Sequence, residues 1–205
     1  MRVRCAAIAA LVLVAGLGTA PVHAADQPRS FTIAAAGDVL IHGAVTRKAA
    51  EYAGYRGYDF TPMMMPIEPW IGEADFGICH LEGTLSPTNT NLAFYPVFNA
   101  PHEVADAIAA AGYDTCSVTG NHALDRGWIG LVETLDVLDA AGVRHDGSAR
   151  TEEERLPGLY EVNGVTVAHM AYAYGYNGFP KPAGKPWATN SLDADLILSD
   201  AAWAR

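Results

Sequence analysis

Three short stretches carry the residues best suited to chemistry. They are "AAAGDV" with Asp38, "ICHLEG" with Glu82, and "VTGNHALD" with the adjacent Asn121 and His122. Two carboxylates, an amide and an imidazole form a donor set for a divalent cation. Carboxylates brought together repel unless something neutralises them. Two metals about 3.5–4 Å apart clamp a phosphate and activate water for in-line attack. In such a site Asn121 gives its carbonyl oxygen to a metal. His122 then points at the leaving group as general acid, or orients the oxyanion. Each signal alone has a plainer reading. Gly-Asp after a strand is common in turns. Glu82 can cap the turn that follows it, and Asn121 can cap a helix. His122 can be a satisfied loop histidine, and His80 can point into the core. Asp125 and Arg126 can pair on the first turn of a helix, a contact worth about 0–1 kcal/mol. The shared position at three strand ends carries the inference.

The elements that position these residues follow from the apolar pattern. Phe31 to Ala36 reads as a short buried strand ended by Gly37-Asp38. "AVTRKAAEYAG" reads as a helix closing near Gly54, and a short helix is expected around Ile67–Gly72. "FGICHLEGTLS" is a second buried strand running into a polar turn. "PTNTNLAFYPVFNAP" is irregular or edge-like because prolines interrupt it. "PHEVADAIAAAG" has proline at a helix start and glycine at its end. "YDTCSVTG" is a third strand. Ile129, Leu131, Val132, Leu135 and Leu138 then mark an amphipathic helix, and "VRHDG" a short strand. "GLYEVNGVTVAHMAYAY" reads as a hairpin turning at Asn163-Gly164. A Gly/Pro-rich loop and the start of a last helix follow. Alternating strands and helices of this kind predict an α/β layered fold with at least one largely parallel sheet. In such sheets ligands gather outside the carboxyl ends of the strands.

Composition bounds the partners. The chain has 205 residues, 50% of them hydrophobic, and a formal net charge of −10. That balance, with no Lys/Arg cluster, does not suit nucleic acid. Residues 1–24 read as a signal peptide: Arg2 and Arg4, an apolar run from Ala6 to about Leu17, and a small-x-small site at Val22-His23-Ala24. The run is short for a spanning helix, which needs about 20 residues. An uncleaved membrane anchor is the alternative. Export predicts a secreted or cell-envelope location. It also removes two cations and no acid, taking the charge from −10 to −12. Cys79 and Cys116 remain, and an oxidising compartment permits a disulfide between them. Their apolar surroundings favour two buried thiols.

Four stretches run in one family order: "AAGDVLIHGAV", "ADFGICHLEGTLS", "FNAPHEVADAIAAAGYDTCSVTGNHALDRGWIGLVETLDVLDAAGV" and "EVNGVTVAHMAYAY". On these the chain resembles the CapA/PgsA family of capsule and poly-γ-glutamate synthesis proteins, whose fold is similar to that of the calcineurin-like metallophosphoesterases. The resemblance implies a layered metallophosphatase-like sandwich of mixed sheets flanked by helices. Residues 30–205 would form its N-terminal portion, with the C-terminal half missing. It implies Asp38 as a metal ligand, Glu82 as a bridging or binding acid, and Asn121 and His122 as ligand and catalytic or supporting histidine. Divalent metal (Mn, Fe or Zn) is the implied cofactor, paired in a full-length form. The implied role is synthesis, export or attachment of poly-γ-glutamate or a related envelope polymer, with that anionic polymer or its machinery as partner. A phosphoesterase-type hydrolase and an inactive fragment are the alternatives. Three departures stand out. His80 occupies a position where the family usually carries Asn. Leu40 stands two residues after Asp38, where phosphoesterases often carry His, and His42 is the nearest imidazole. The family's later "HWG" and "GHHPH"-like segments do not occur. A parallel sheet without later strands exposes an edge. His145 and His169 lie in no matching motif.

Overall fold

A computed structural model describes residues 29–205, so the expected signal peptide lies outside the described residues. β1 (Ile33–Val39) leads through α1 (Gly43–Tyr52) into three one-turn helices: α2 (Thr61–Met64), a 3-10 turn (Met65–Ile67) and α3 (Glu68–Ile71). Each of the three has proline in its first two positions. Proline starts a helix but cannot continue the preceding one, so the stretch stays broken. β2 (Phe76–Leu81) follows, then a short parallel pair, β3 (Thr84–Ser86) and β4 (Asn99–Pro101). α4 (Glu103–Ala110), β5 (Thr115–Ser117), α5 (Gly127–Ala140) and β6 (Arg144–Asp146) complete the alternation. A hairpin, β7 (Gly158–Val162) and β8 (Val165–His169), and a final helix, α6 (Ala194–Trp203), close it.

The main sheet is parallel throughout, in the order β1-β2-β5-β6. The α/β layered architecture expected from the sequence is therefore present: helices pack with two parallel sheets, and the β7-β8 hairpin is antiparallel. Val104 and Ile108 of α4 and Leu131, Leu135 and Leu138 of α5 are buried with Leu81, Leu85 and Val118 in one core. The hairpin packs separately, Tyr160 and Val162 against Phe76. Its turn falls at Asn163-Gly164, both at positive φ (49° and 72°), as a tight hairpin requires. Asp193 caps α6 by accepting from the Leu196 N–H at 2.9 Å. No helix among the described residues is long and apolar enough to cross a membrane.

Register sets the site. Asp38, His80, Ser117 and Asp146 are successive cross-strand partners on β1, β2, β5 and β6. A polar row thus crosses the whole sheet near its carboxyl end. An irregularity between Ala35 and Asp38 brings Asp38 into that register. Asp38 lies inside β1 rather than just past it, while Glu82 follows β2 directly.

Three expectations change. Ile129 is 69% exposed, and Thr134 and Val137 join the buried face of α5 instead. Thr134 Oγ1 accepts from the Leu85 N–H and donates to the Gly130 carbonyl, so its hydroxyl is satisfied in the core. The "polar turn" after Glu82 contains β3, all three of whose residues are buried. Cys79 and Cys116 are bonded as a disulfide rather than free, because register sets them side by side on β2 and β5.

Candidate metal centre

Asp38, His80 and Glu82 come together at the carboxyl ends of β1 and β2. One ligand atom of each lies within 4.8 Å of the other two. His80 Nε2 is 3.9 Å from Asp38 Oδ1. His122 Nε2 approaches the group from the turn after β5, 3.8 Å from Glu82 Oε1. The Asp38 end is open, with 65% of that side chain exposed, whereas Glu82 is 10% exposed.

Both imidazoles are held from behind. His122 Nδ1 lies 2.8 Å from Asp125 Oδ2, which also accepts from the Phe98 N–H at 2.6 Å. A carboxylate can only accept, so Nδ1 carries a proton and Nε2 faces Glu82. Phe98 packs edge-on to the rings of both His122 and His42. His80 Nδ1 lies 2.7 Å from Ser117 Oγ, and that hydroxyl donates to the Cys79 carbonyl.

The electrostatics favour a cation. Burial raises the Glu82 pKa, and the neighbouring Asp38 carboxylate raises it further, with His122 opposing. Two carboxylates and bare imidazole nitrogens are the donors that divalent transition metals take. Carboxylate or hydroxyl partners on the far nitrogen are the usual support for ligating histidines. The residues present therefore fit such an ion.

Asn121 is exposed at the rim, with Nδ2 3.5 Å from Asn177 Oδ1. Asn177 in turn brings Nδ2 to 3.3 Å from His122 Nε2. An open cleft of ≈ 790 Å³ begins at His80, runs past Ser117 and Asn121 to His169, and is walled by residues 170–178. His42 stands against Phe98, outside the Asp38–His80–Glu82 group.

The family model described as "Bacterial capsule synthesis protein PGA_cap" matches residues 32–201, which include every residue of the site. The chain belongs to this family. PGA_cap proteins fall in the metallophosphatase-like superfamily, in keeping with the parallel sheet and its strand-end site. No curated protein matches the chain. In this PGA_cap chain Asp125 is the main functional candidate that the residue pattern hid. It is not an exposed partner of Arg126. The segment after His122 folds inward before α5 starts at Gly127, and the Asp125 side chain is fully buried. Its i+3 spacing from His122 was the available signal. Neither Ser117 nor Asn177 had one, because register and loop path bring them in. His145 and His169 stay outside the PGA_cap metal group, paired with Asp139 and Asp146.

Proposed function

We propose that this PGA_cap protein works outside the cytoplasm in the synthesis, export or attachment of poly-γ-glutamate or a related anionic envelope polymer. The family match supports the capsule role, and residues 1–24 read as its export signal. In this reading Asp38, Glu82, Asn121 and His122 hold divalent metal (Mn, Fe or Zn). The observation that carries it is the meeting of two carboxylates and two imidazole nitrogens at one sheet edge, beside an open cleft. A bound cation neutralises the carboxylates, polarises a ligand oxygen and lowers the pKa of water. It also gives an acidic protein a local positive field for a polyanion. Asn121 offers its carbonyl oxygen at the rim, and the cleft admits a chain-like ligand.

A metal-dependent phosphoester hydrolase is the second reading. The His122–Asp125 pair favours it. Asp125 orients the ring so that Nε2 faces the site, where it can pass a proton to a leaving oxygen.

The test measures Mn or Zn uptake and phosphodiester hydrolysis in the wild type, Asp38→Ala, Glu82→Ala and His122→Ala. Polymer production is scored in a producing strain that lacks the gene and receives each variant. Equal metal uptake by all four proteins sinks the metal site. Restored polymer without turnover by the metal-loaded protein supports the assembly role; turnover lost in His122→Ala supports the hydrolase.

A further inference from the structure

We propose that His80 is itself a metal ligand and that it tilts the site toward zinc and away from magnesium or calcium. The proposal rests on the metal reading above and assigns this chain a donor that its β1 segment does not supply. The 38–42 stretch has Leu40 near Asp38, and its one imidazole, His42, is turned to Phe98. The nearest imidazole to Asp38 instead comes from the next strand, at the partner position in register.

Three observations prepare Nε2 of His80 for a cation. First, the ring is held from behind. Ser117 Oγ meets His80 Nδ1 at 2.7 Å and also lies 3.4 Å from the Cys79 carbonyl. That contact engages Nδ1 and leaves Nε2 as the nitrogen turned toward Asp38. Second, Nε2 has a carboxylate neighbour and no hydrogen bond to it. The 3.9 Å to Asp38 Oδ1 is too long for one. It is within the span of about 4 Å that two ligands on one ion can have, each about 2.0–2.2 Å from it. Third, the space in front of the ring is kept clear by glycine. A Cβ on Gly120 would stand 3.1 Å from Nε2.

The chemistry of the donor decides selectivity. Magnesium and calcium take oxygen ligands almost exclusively. Imidazole suits zinc and its neighbours in the transition series. His122 brings one imidazole beside Glu82, and His80 brings a second beside Asp38, which strengthens that preference.

The test strips the full chain with chelator and titrates zinc and magnesium by calorimetry. Manganese-loaded protein is read by pulsed EPR for coordinated imidazole nitrogen. Ser117→Ala should weaken zinc by roughly 10–100-fold, the usual effect of removing a ligand's support. His80→Ala should weaken zinc more than that and should lose a nitrogen signal that remains in Ser117→Ala. His80→Asn, close in size should the alanine variant misfold, should lower the zinc-to-magnesium preference. Wild-type affinity, preference and nitrogen signal in both His80 variants, with binding abolished in Asp38→Ala and Glu82→Ala, would overturn the proposal and leave the metal site standing. Equal binding by every variant would overturn both.

Discussion

His122 and Asp125 are joined at 2.8 Å, Nδ1 to Oδ2, with the Asp125 side chain wholly buried. The same Oδ2 takes the Phe98 N–H. One oxygen therefore ties the turn after β5 to the segment before β4 and aims His122 at Glu82. Asp125 Oδ1 is buried with no partner among the described residues. A buried charge with one lone pair idle is costly, and it is tolerated where it supports a neighbouring group.

Asp125→Ala should cost about 3–5 kcal/mol, since it strands a buried histidine and a buried backbone N–H. Asp125→Asn should do less harm. Its carbonyl oxygen can keep both contacts, while its amide places an unpaired donor where Oδ1 stood, at about 1–3 kcal/mol. The charge is gone, so metal affinity should still fall roughly 10–100-fold. Urea unfolding and calorimetric metal titration separate the two effects. Unchanged affinity in a folded Asp125→Asn protein would show that the pair is only structural.

Glu82→Gln should raise the Tm of the chelator-stripped protein and abolish metal uptake. Burial and the Asp38 carboxylate both push the Glu82 pKa up. At neutral pH its ionised form costs folding free energy that an amide does not. Asp38→Asn should give the smaller gain, because Asp38 is mostly exposed and already screened by water. Thermal scans in chelator decide it: a lower Tm in Glu82→Gln would mean that the carboxylate has a stabilising partner and is not held for an ion.

Much of this arrangement was legible in the chain. Short apolar runs ending in Gly-Asp, Leu-Glu and Gly-Asn-His gave the strand ends, and alternation with helices gave the parallel sheet. What periodicity does not encode is register. Ser117 beside His80, and Cys79 beside Cys116, depend on how β2 and β5 slide past each other. A separation of 37 residues says nothing about that. Asp125 was obscured differently. With Arg126 it looks like an exposed pair opening a helix, yet the helix begins later, at a Gly127 with φ of 60°, and the turn before it folds inward. Ile129 stands two residues before buried Leu131, about 200° around the helix, and so faces solvent.

Gly120→Ala should probe the site without unfolding the chain. Gly120 has ordinary backbone angles, so the change brings no φ strain. The new methyl group would press on His80 Nε2 at 3.1 Å. The ring cannot retreat freely because Ser117 holds its other nitrogen. Metal affinity should fall about tenfold or more while the urea midpoint moves little. Full affinity with a bound-state structure showing His80 unmoved would mean that the cation sits away from this ring.

Glu154 gives a pH-dependent prediction far from the metal centre. Burial opposes its ionisation, but hydrogen bonds from the Arg150 side chain and backbone outweigh that and hold its pKa below the ordinary 4.5. Arg150 also meets Asp136 at 2.6 Å and Asp139 at 2.7 Å, so it keeps partners if Glu154 is lost. The pair is partly solvent-exposed, so Glu154→Gln should cost only about 1 kcal/mol at neutral pH. The sign of the pH effect follows from the depressed pKa. The carboxylate stabilises the fold above its unfolded pKa, and that contribution disappears as pH falls through the lower folded value. The stability gap between wild type and Glu154→Gln should therefore hold at pH 7, narrow from about pH 5 downward and vanish in stronger acid. Urea curves across that range measure it, and a gap that widened in acid would show that Arg150 does not hold Glu154 ionised.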